Sequence, residues 1–288
     1  METSATTTPR VWFITGASRG LGRAFTEAAL AASDKVIACA RDVTPLDGLA
    51  DQHPERLLTV PLDVTDRAAV FDAVSRAVQH FGRLDIVVNN AGALYTGMVE
   101  EFTEAAARAQ LELNFFGALW VSQAVAPQLR AQGRGHLVQI SSIGALGGFP
   151  SSGLYSASKF ALEGMSEALA AELAPSGIKV TIVQPGGYWT GLYSRSTATT
   201  PNPAYDSLRA ELEKQWAEGS IDSEPRLAAE ALMTLVASDD PPLRLLLGSM
   251  VYDVAFDISR RRMDTWASWE QVSRAAEKAV PNPDETPA

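Results

Sequence analysis

The octapeptide Thr15-Gly16-Ala17-Ser18-Arg19-Gly20-Leu21-Gly22 decides the fold. It follows the apolar, β-branched run 11–15 and opens a helical pattern over 21–32, so it forms a strand-to-helix turn. Glycines there let the backbone bend tightly and come close to a pyrophosphate. The N-terminus of the helix adds free N–H groups and a partial positive charge. The same residues could make a plain structural turn, but their place after the first strand favours a phosphate loop.

Outward from this turn, short β-branched runs over 35–40, 57–62, 86–89, 136–141, 179–184 and 243–247 alternate with helical patterns. The helical stretches cover 67–81 (capped by Thr65 or Asp66), 103–130, 154–173 and 225–237. This alternation predicts stacked βαβ units in one doubly wound α/β domain over 10–280, with a seven-stranded parallel sheet flanked by helices. Several strands are continuously apolar, as helices on both faces require. Residues 1–9 and 281–288 are polar or Pro-rich and read as frayed tails. Between 186 and 225 the pattern loosens into Gly, Thr, Pro and Ser, with a short helix over 204–217. An insertion of this length beyond the sixth strand predicts a substrate lid. The stretch 252–278, with Trp266 and Trp269, reads as a helix that covers the core or makes a subunit contact.

Composition narrows the function. The 288 residues carry 24 basic and 34 acidic side chains, a net charge of −10, with no dense Lys/Arg run. That balance argues against a nucleic-acid partner. The single cysteine, Cys39, lies in an apolar run and suits a reducing compartment. No signal-like segment and no membrane-length apolar stretch occurs, so the expectation is a cytoplasmic enzyme. His53, His80 and His136 show no metal-ligand spacing, so no catalytic metal is expected. Ser142 lacks the Gly-x-Ser-x-Gly elbow of a hydrolase nucleophile.

The spacing Gly-x-x-x-Gly-x-Gly differs from the commoner dinucleotide fingerprint and resembles the Thr-Gly-x-x-x-Gly-x-Gly of the short-chain dehydrogenase/reductases, Rossmann-fold NAD(P)-dependent oxidoreductases. The resemblance implies that Gly16, Gly20 and Gly22 shape the loop while Ser18, Arg19 and Leu21 contact the cofactor. The second strand ends Ala40-Arg41-Asp42, where an NAD enzyme usually places an acid for the ribose. Arg41 can instead face a 2′-phosphate with a charge-assisted fork, and Arg19 can add a second positive charge. Asp42 could reach the ribose or pair with Arg41. The expectation is NADP, with NAD possible. By the same resemblance Asp63 binds the adenine amine, with a helix N-cap or turn former as the alternative. Asn89-Asn90-Ala91-Gly92 matches the family's motif, Asn90 and its backbone neighbours lining the adenine ribose and Asn89 serving structure.

Tyr155-Ser156-Ala157-Ser158-Lys159 carries the chemistry. The i, i+4 spacing puts Tyr155 and Lys159 on one helical face. A free Tyr titrates near ~10, and a nearby ammonium favours its phenolate. A fall of about three units needs on the order of 4 kcal/mol of differential stabilisation, which Lys159 and an oxidised nicotinamide are expected to supply. The pair alone could be a helix-surface contact. Ser142, thirteen residues earlier, completes the family pattern and can bind the substrate oxygen. Asn114 matches the fourth catalytic member, which in the family holds a water linking the lysine to solvent; a satisfied core amide is the alternative. Pro185-Gly186-Gly187-Tyr188-Trp189-Thr190 fits the family's Pro-Gly-x-x-x-Thr, implying that Thr190 binds the nicotinamide carboxamide beside Tyr188.

The reaction implied is hydride transfer between a nicotinamide and a small-molecule carbonyl or alcohol, with Tyr155 as acid/base. Rim candidates Tyr95, Leu146, Phe149, Leu154, Tyr188, Trp189, Leu192 and Tyr193 suggest a hydrophobic substrate. Phe160-Ala161-Leu162-Glu163-Gly164 resembles members acting on steroids, retinoids or aliphatic carbonyls. A non-catalytic nucleotide sensor is the alternative, although it need not keep all of Asn114, Ser142, Tyr155 and Lys159. Family members pair through helices corresponding to 103–130 and 154–173, so a homo-oligomer, dimer or tetramer, is expected.

Overall fold

The structure, a computed structural model, describes residues 8–219 and 222–277. The predicted tails at 1–7 and 281–288 lie outside the described residues, and Pro9 is exposed. The seven strands are β1 (Val11–Thr15), β2 (Lys35–Ala40), β3 (Leu57–Pro61), β4 (Ile86–Asn89), β5 (Gly135–Ile140), β6 (Ile178–Pro185) and β7 (Arg244–Leu247). They form one sheet in the order β7-β6-β5-β4-β1-β2-β3, and every neighbouring pair is parallel. The chain runs outward in both directions from the β1/β4 boundary. Their carboxyl ends therefore face the crevice in which such sheets bind ligands.

Strand periodicity explains the two cores. Successive side chains point to opposite faces, so Val11 and Phe13 of β1 join one cluster while Trp12 and Ile14 join the other. β2 divides in the same way, with Ile37 and Cys39 on one face and Val36 and Ala38 on the opposite one. Helices α1 (Gly20–Ala31) and α8 (Pro225–Ala237) cover the Trp12 face through Phe25, Leu30, Leu232 and Leu235. Helices α3 (Arg67–Phe81), α5 (Gly117–Gln132) and α6 (Gly153–Leu173) cover the Phe13 face. Asp66, rather than Thr65, caps α3 by accepting from the Ala69 N–H. A short helix α2 (Asp47–Gln52), unforeseen in the sequence, buries Leu49 beside β3. Cys39 is fully enclosed, and burial pushes its thiol far above the ordinary range.

The single helix expected over 103–130 is instead three pieces. α4 (Glu104–Leu111) passes into a π-helical turn, Glu112–Phe116, before α5 begins. A π turn inserts one residue and changes the phase of the helix. The Asn114 amide inside it is anchored to other elements, and Gly117 sits against Val64, where a Cβ would lie 2.6 Å from Cγ2.

The segment 186–225 is more ordered than its composition suggested. Gly187–Tyr188 pairs with Asp222–Ser223, Thr197–Ala198 pairs with Tyr95–Thr96, and α7 (Asp206–Gly219) follows. Beyond β7, α9 (Ser249–Ser268) buries only Val251 and Ala255, and every described residue from Ser259 onward is exposed. Trp269 separates it from α10 (Glu270–Ala275). Among the described residues, no helix is long and apolar enough to cross a membrane.

Candidate active site

The turn after β1 is shaped by its glycines. Gly16 and Gly20 adopt φ of +65° and +54°, a region costly for residues with a Cβ. At Gly22 a Cβ would lie 2.3 Å from the Gly16 carbonyl oxygen, so α1 can pack this closely only on glycine. Gly20 faces Thr190, where a Cβ would stand 2.9 Å from the Thr190 Cβ. Two segments 170 positions apart in sequence thus meet at one point. No side chain caps the N-terminus of α1. Its leading N–H groups remain available to an anion.

Ser18 is half-buried and Leu21 packs against the α1 side of the core, while Arg19 and Arg41 are exposed. Asp42 does not pair with Arg41. Its Oδ1 accepts from the Thr44 N–H at 3.0 Å and the Thr44 hydroxyl at 2.8 Å, and these bonds hold its carboxyl below the ordinary range. Asp63 makes the same local turn with Thr65, at 3.0 and 2.8 Å, and stays exposed above β3. Asn90 Nδ2 donates to the carbonyls of Thr15 and Gly16 at 2.9 and 3.2 Å. The Thr15 hydroxyl in turn accepts from the N–H groups of Asn90 and Ala91. The Asn90 amide therefore braces the glycine loop, and what this stretch can offer a nucleotide is backbone. Asn89 is buried, its Nδ2 donating to Ala118 and Ser122. These residues fit a dinucleotide: an uncapped helix start, a glycine cradle and two exposed cations, Arg19 and Arg41, that make no ion pair among the described residues.

Tyr155, Ser142 and Lys159 come together at the carboxyl ends of β5 and β6. The Ser142 Oγ accepts from the Gly144 N–H at 3.0 Å and lies beside the Tyr155 hydroxyl. Gly144 lies against the phenol ring, where a Cβ would be 3.1 Å from Tyr155 Cε1. Lys159 Nζ donates to the Ile140 carbonyl at 2.7 Å and stands 5.8 Å from the Tyr155 ring centroid. Lowering of the Tyr155 pKa, expected from sequence, is absent in the nucleotide-free chain. Burial pushes the phenol up to about 12, against the pull of the Ser142 hydroxyl, and Tyr193 opposes ionisation further. Burial also brings Lys159 down to about 8, with the charge of Glu163 pulling the other way.

Asn114 is buried and fully engaged. Its Oδ1 accepts from the Ala93 N–H at 2.9 Å, and its Nδ2 donates to the Ala93 carbonyl and the Ser158 hydroxyl at 3.0 and 3.1 Å. It thereby ties the 93–95 strand edge to α6 one residue before Lys159. Gln110 ties the same stretch to α4, accepting from the Tyr95 N–H and donating to the Ala93 carbonyl, both at 2.9 Å. Pro185 ends β6 buried, Gly186 and Tyr188 are half-buried, and Thr190 N donates to the Tyr188 carbonyl at 2.7 Å.

Two acidic residues escaped the sequence reading. Glu163 stands one turn beyond Lys159, its side chain only 8% exposed. Spacing of four from Lys159 and eight from Tyr155 was the available signal. Glu101 anchors the 186–225 segment. Its carboxylate accepts from the N–H groups of Met98 and Asn202 at 2.8 and 2.7 Å and from the Thr199 hydroxyl at 2.8 Å, and pairs with Arg209. The Arg209 guanidinium is the chief reason its carboxyl falls to about 2. Of the rim candidates, Trp189 and Tyr193 are exposed and Tyr95, Leu146, Phe149, Leu154 and Leu192 half-buried. Tyr193 packs edge-on against Trp216 of α7, with centroids 5.2 Å apart.

Comparison with known proteins agrees with this geometry. The family profile described as short chain dehydrogenase matches residues 10–200. The oxidoreductase BOA17 of Botryotinia fuckeliana is 39% identical over 272 residues, covering 93% of this chain and 99% of that protein. A short-chain dehydrogenase from Streptomyces avermitilis superposes with a TM-score of 0.87 at 39% identity, covering 94% of this chain and all of that one. One from Burkholderia cenocepacia, solved in complex with NADP, superposes at 0.71 with 29% identity over 90% of this chain and 97% of that one. With the parallel sheet, glycine turn and Ser142–Tyr155–Lys159 cluster in place, the chain belongs to the short-chain dehydrogenase family of oxidoreductases.

Proposed function

We propose that this chain is an NADP(H)-dependent oxidoreductase that interconverts a hydrophobic ketone or aldehyde and its alcohol, with Tyr155 as acid/base. The observation that carries the reading is the Tyr155 phenol packed on Gly144 beside Ser142, with the Lys159 ammonium 5.8 Å from its ring. Hydride donation or acceptance is the chemistry a bound nicotinamide nucleotide supplies. Gly16, Gly20, Gly22 and the start of α1 would hold the pyrophosphate, Ser18 and Leu21 would border it, and Arg19 and Arg41 would pair with the 2′-phosphate. Asp63, Asn90 and Ala91 would serve the adenosine side, and Pro185, Gly186, Tyr188 and Thr190 the nicotinamide side.

In reduction, Ser142 holds the carbonyl oxygen and Tyr155 delivers its proton there. A phenol at about 12 is a competent acid but a poor base. Base chemistry in the oxidation direction requires added positive charge, from Lys159 and from an oxidised nicotinamide. Asn114 keeps the Lys159 helix and the 93–95 edge in register. The 186–225 segment, with Tyr193 above Tyr155, covers the substrate. The solved relative bound to NADP and the two exposed arginines support NADP, and NAD is the second choice. Purified protein should oxidise NADPH faster than NADH in the presence of apolar ketones or aldehydes, followed at 340 nm. Binding of NADPH without turnover on any carbonyl would favour the nucleotide sensor.

Homo-oligomerisation belongs to the same proposal. Phe160 on α6 and the stripe Tyr252, Phe256, Met263 and Trp266 on α9 are exposed, a larger apolar display than a monomer usually carries. Sedimentation should give a multiple of the 30.8 kDa chain mass.

A further inference from the structure

α6 carries a row of ionisable side chains at four-residue spacing: Tyr155, Lys159, Glu163 and Glu167. Such spacing stacks them along one helical face. The first two enter the proposed chemistry, whereas the third lies below them, out of reach of substrate. Glu163 is nonetheless buried, and an isolated buried carboxylate is costly without partners.

Its partners come from three strands. The Ser141 hydroxyl, just past β5, donates to Oε1 at 2.5 Å. The Gln184 amide of β6 donates to the same oxygen at 2.8 Å. Arg244, the first residue of β7, approaches Oε2 at 3.3 Å and also pairs with Glu167. Each contact lies next to a part of the proposed site. Ser141 precedes Ser142, Gln184 precedes the Pro185-Gly186 turn, and α6 carries Tyr155 and Lys159.

We propose that Glu163 is the positioning residue of this site, serving as the buried counter-charge of Lys159 and as the brace that locks the ends of β5, β6 and β7 around it. The assignment rests on the oxidoreductase reading for its kinetic consequence, but its effect on Lys159 is a property of the chain alone. Among the described residues Lys159 makes one hydrogen bond, to the neutral Ile140 carbonyl, so its charge must be supported from nearby. The charged and titratable groups around the row are few. Tyr155, Glu163 and Glu167 lie on α6 itself, Arg244 comes from β7, and Tyr193 from the 186–225 segment faces Tyr155. Ser141 and Gln184, from β5 and β6, are neutral donors. Glu163 is therefore the buried anion one helical turn from Lys159, beyond ion-pair distance of it and shared with Arg244 on its outer side.

The sign follows directly. The Lys159 ammonium is present below its midpoint and lost above it, and a nearby anion raises that midpoint. Removing the anion moves the midpoint down, and the alkaline limb of activity moves toward lower pH with it. Removing Arg244, the competing cation, moves both upward. A brace without electrostatic work would lower activity by one factor at every pH.

The test uses Glu163→Gln, which keeps the size and the acceptor oxygen, and Arg244→Gln on a half-exposed position. With lysine 13C-labelled in the nucleotide-free chain, Lys159 is one of five lysines and is assigned by its loss in Lys159→Arg. In Glu163→Gln its midpoint should fall by one unit or more from about 8, and in Arg244→Gln it should rise. The pH profile of kcat/KM with NADPH should show the same displacements. Near pH 8, a one-unit fall leaves about a fivefold loss in Glu163→Gln that recovers toward pH 6. An unmoved Lys159 midpoint in both variants overturns the proposal, as does a loss in Glu163→Gln that is uniform with pH. Should Glu163→Gln fail to fold, the direction of the Arg244→Gln shift decides alone. A midpoint that shifts in a chain inactive on every carbonyl would keep the electrostatic pairing and overturn the oxidoreductase reading instead.

Discussion

The two ends of the β-sheet are built from similar residues and treat them oppositely. At the amino end the polar groups are closed on one another. Asp34 accepts from the Arg10 N–H at 2.8 Å, the Arg10 guanidinium at 2.9 Å and the Trp12 indole at 2.8 Å. Asp85 ties the Val11 N–H to Arg83, both at 2.8 Å. His136 bonds Thr181, which donates on to the Pro242 carbonyl, and burial brings the imidazole down to about 4. At the carboxyl end, Arg19 and Arg41 stand exposed, the start of α1 lacks a side-chain cap, and the Tyr155 hydroxyl lies beside Ser142 outside any closed network. Closed networks hold a sheet together, whereas open donors are available to a ligand. The difference separates residues closed into the fold from those left open to a ligand, without reference to their types.

That contrast can be broken at either end. The largest effect is expected at Tyr155→Phe, which removes the proton donor but keeps the ring. Turnover should fall by about a thousandfold or more, in keeping with general acid–base catalysis. NADPH affinity and the thermal midpoint should stay near the parent values, and near-normal turnover would remove Tyr155 from the mechanism. Asp34→Ala should do the reverse. It strands Arg10 and the Trp12 indole, and urea unfolding should show a loss of about 3 kcal/mol while kcat holds. A large kcat change there would erase the distinction between the two ends. Arg41→Ala sharpens the comparison most finely. One charge-assisted contact is worth roughly 1.5–3 kcal/mol, so preference for NADPH over NADH should fall about ten- to hundredfold. An unchanged ratio of kcat/KM values would pass the role to Arg19.

Most of the sheet was legible because burial on both faces writes long apolar runs into a chain. β1, β2 and β4 fall on the residues their runs mark, and the remaining strands differ by a residue or so at their ends. The Tyr155/Lys159 relation was legible too, since helical spacing alone puts them on one face. The π turn at Glu112–Phe116 was not, because an inserted residue leaves no periodic trace in eight to ten positions. Its cause is tertiary, in the bonds from Asn114 to Ala93 and Ser158. For Asp63 the turn former that the sequence offered is what the structure shows, and Asp42 makes the same turn in place of a pairing with Arg41, each with the hydroxyl two positions along. Glu101 was invisible because its partners Asn202 and Arg209 lie about a hundred positions away.

Cys39 has a practical corollary. The only sulfhydryl in the sequence is sealed inside β2. The native chain is therefore mute toward maleimides, and a cysteine introduced at exposed Ser194 would be the sole site a dye could label. A fluorophore there would follow the 186–225 segment in single molecules, with no background mutations to engineer first.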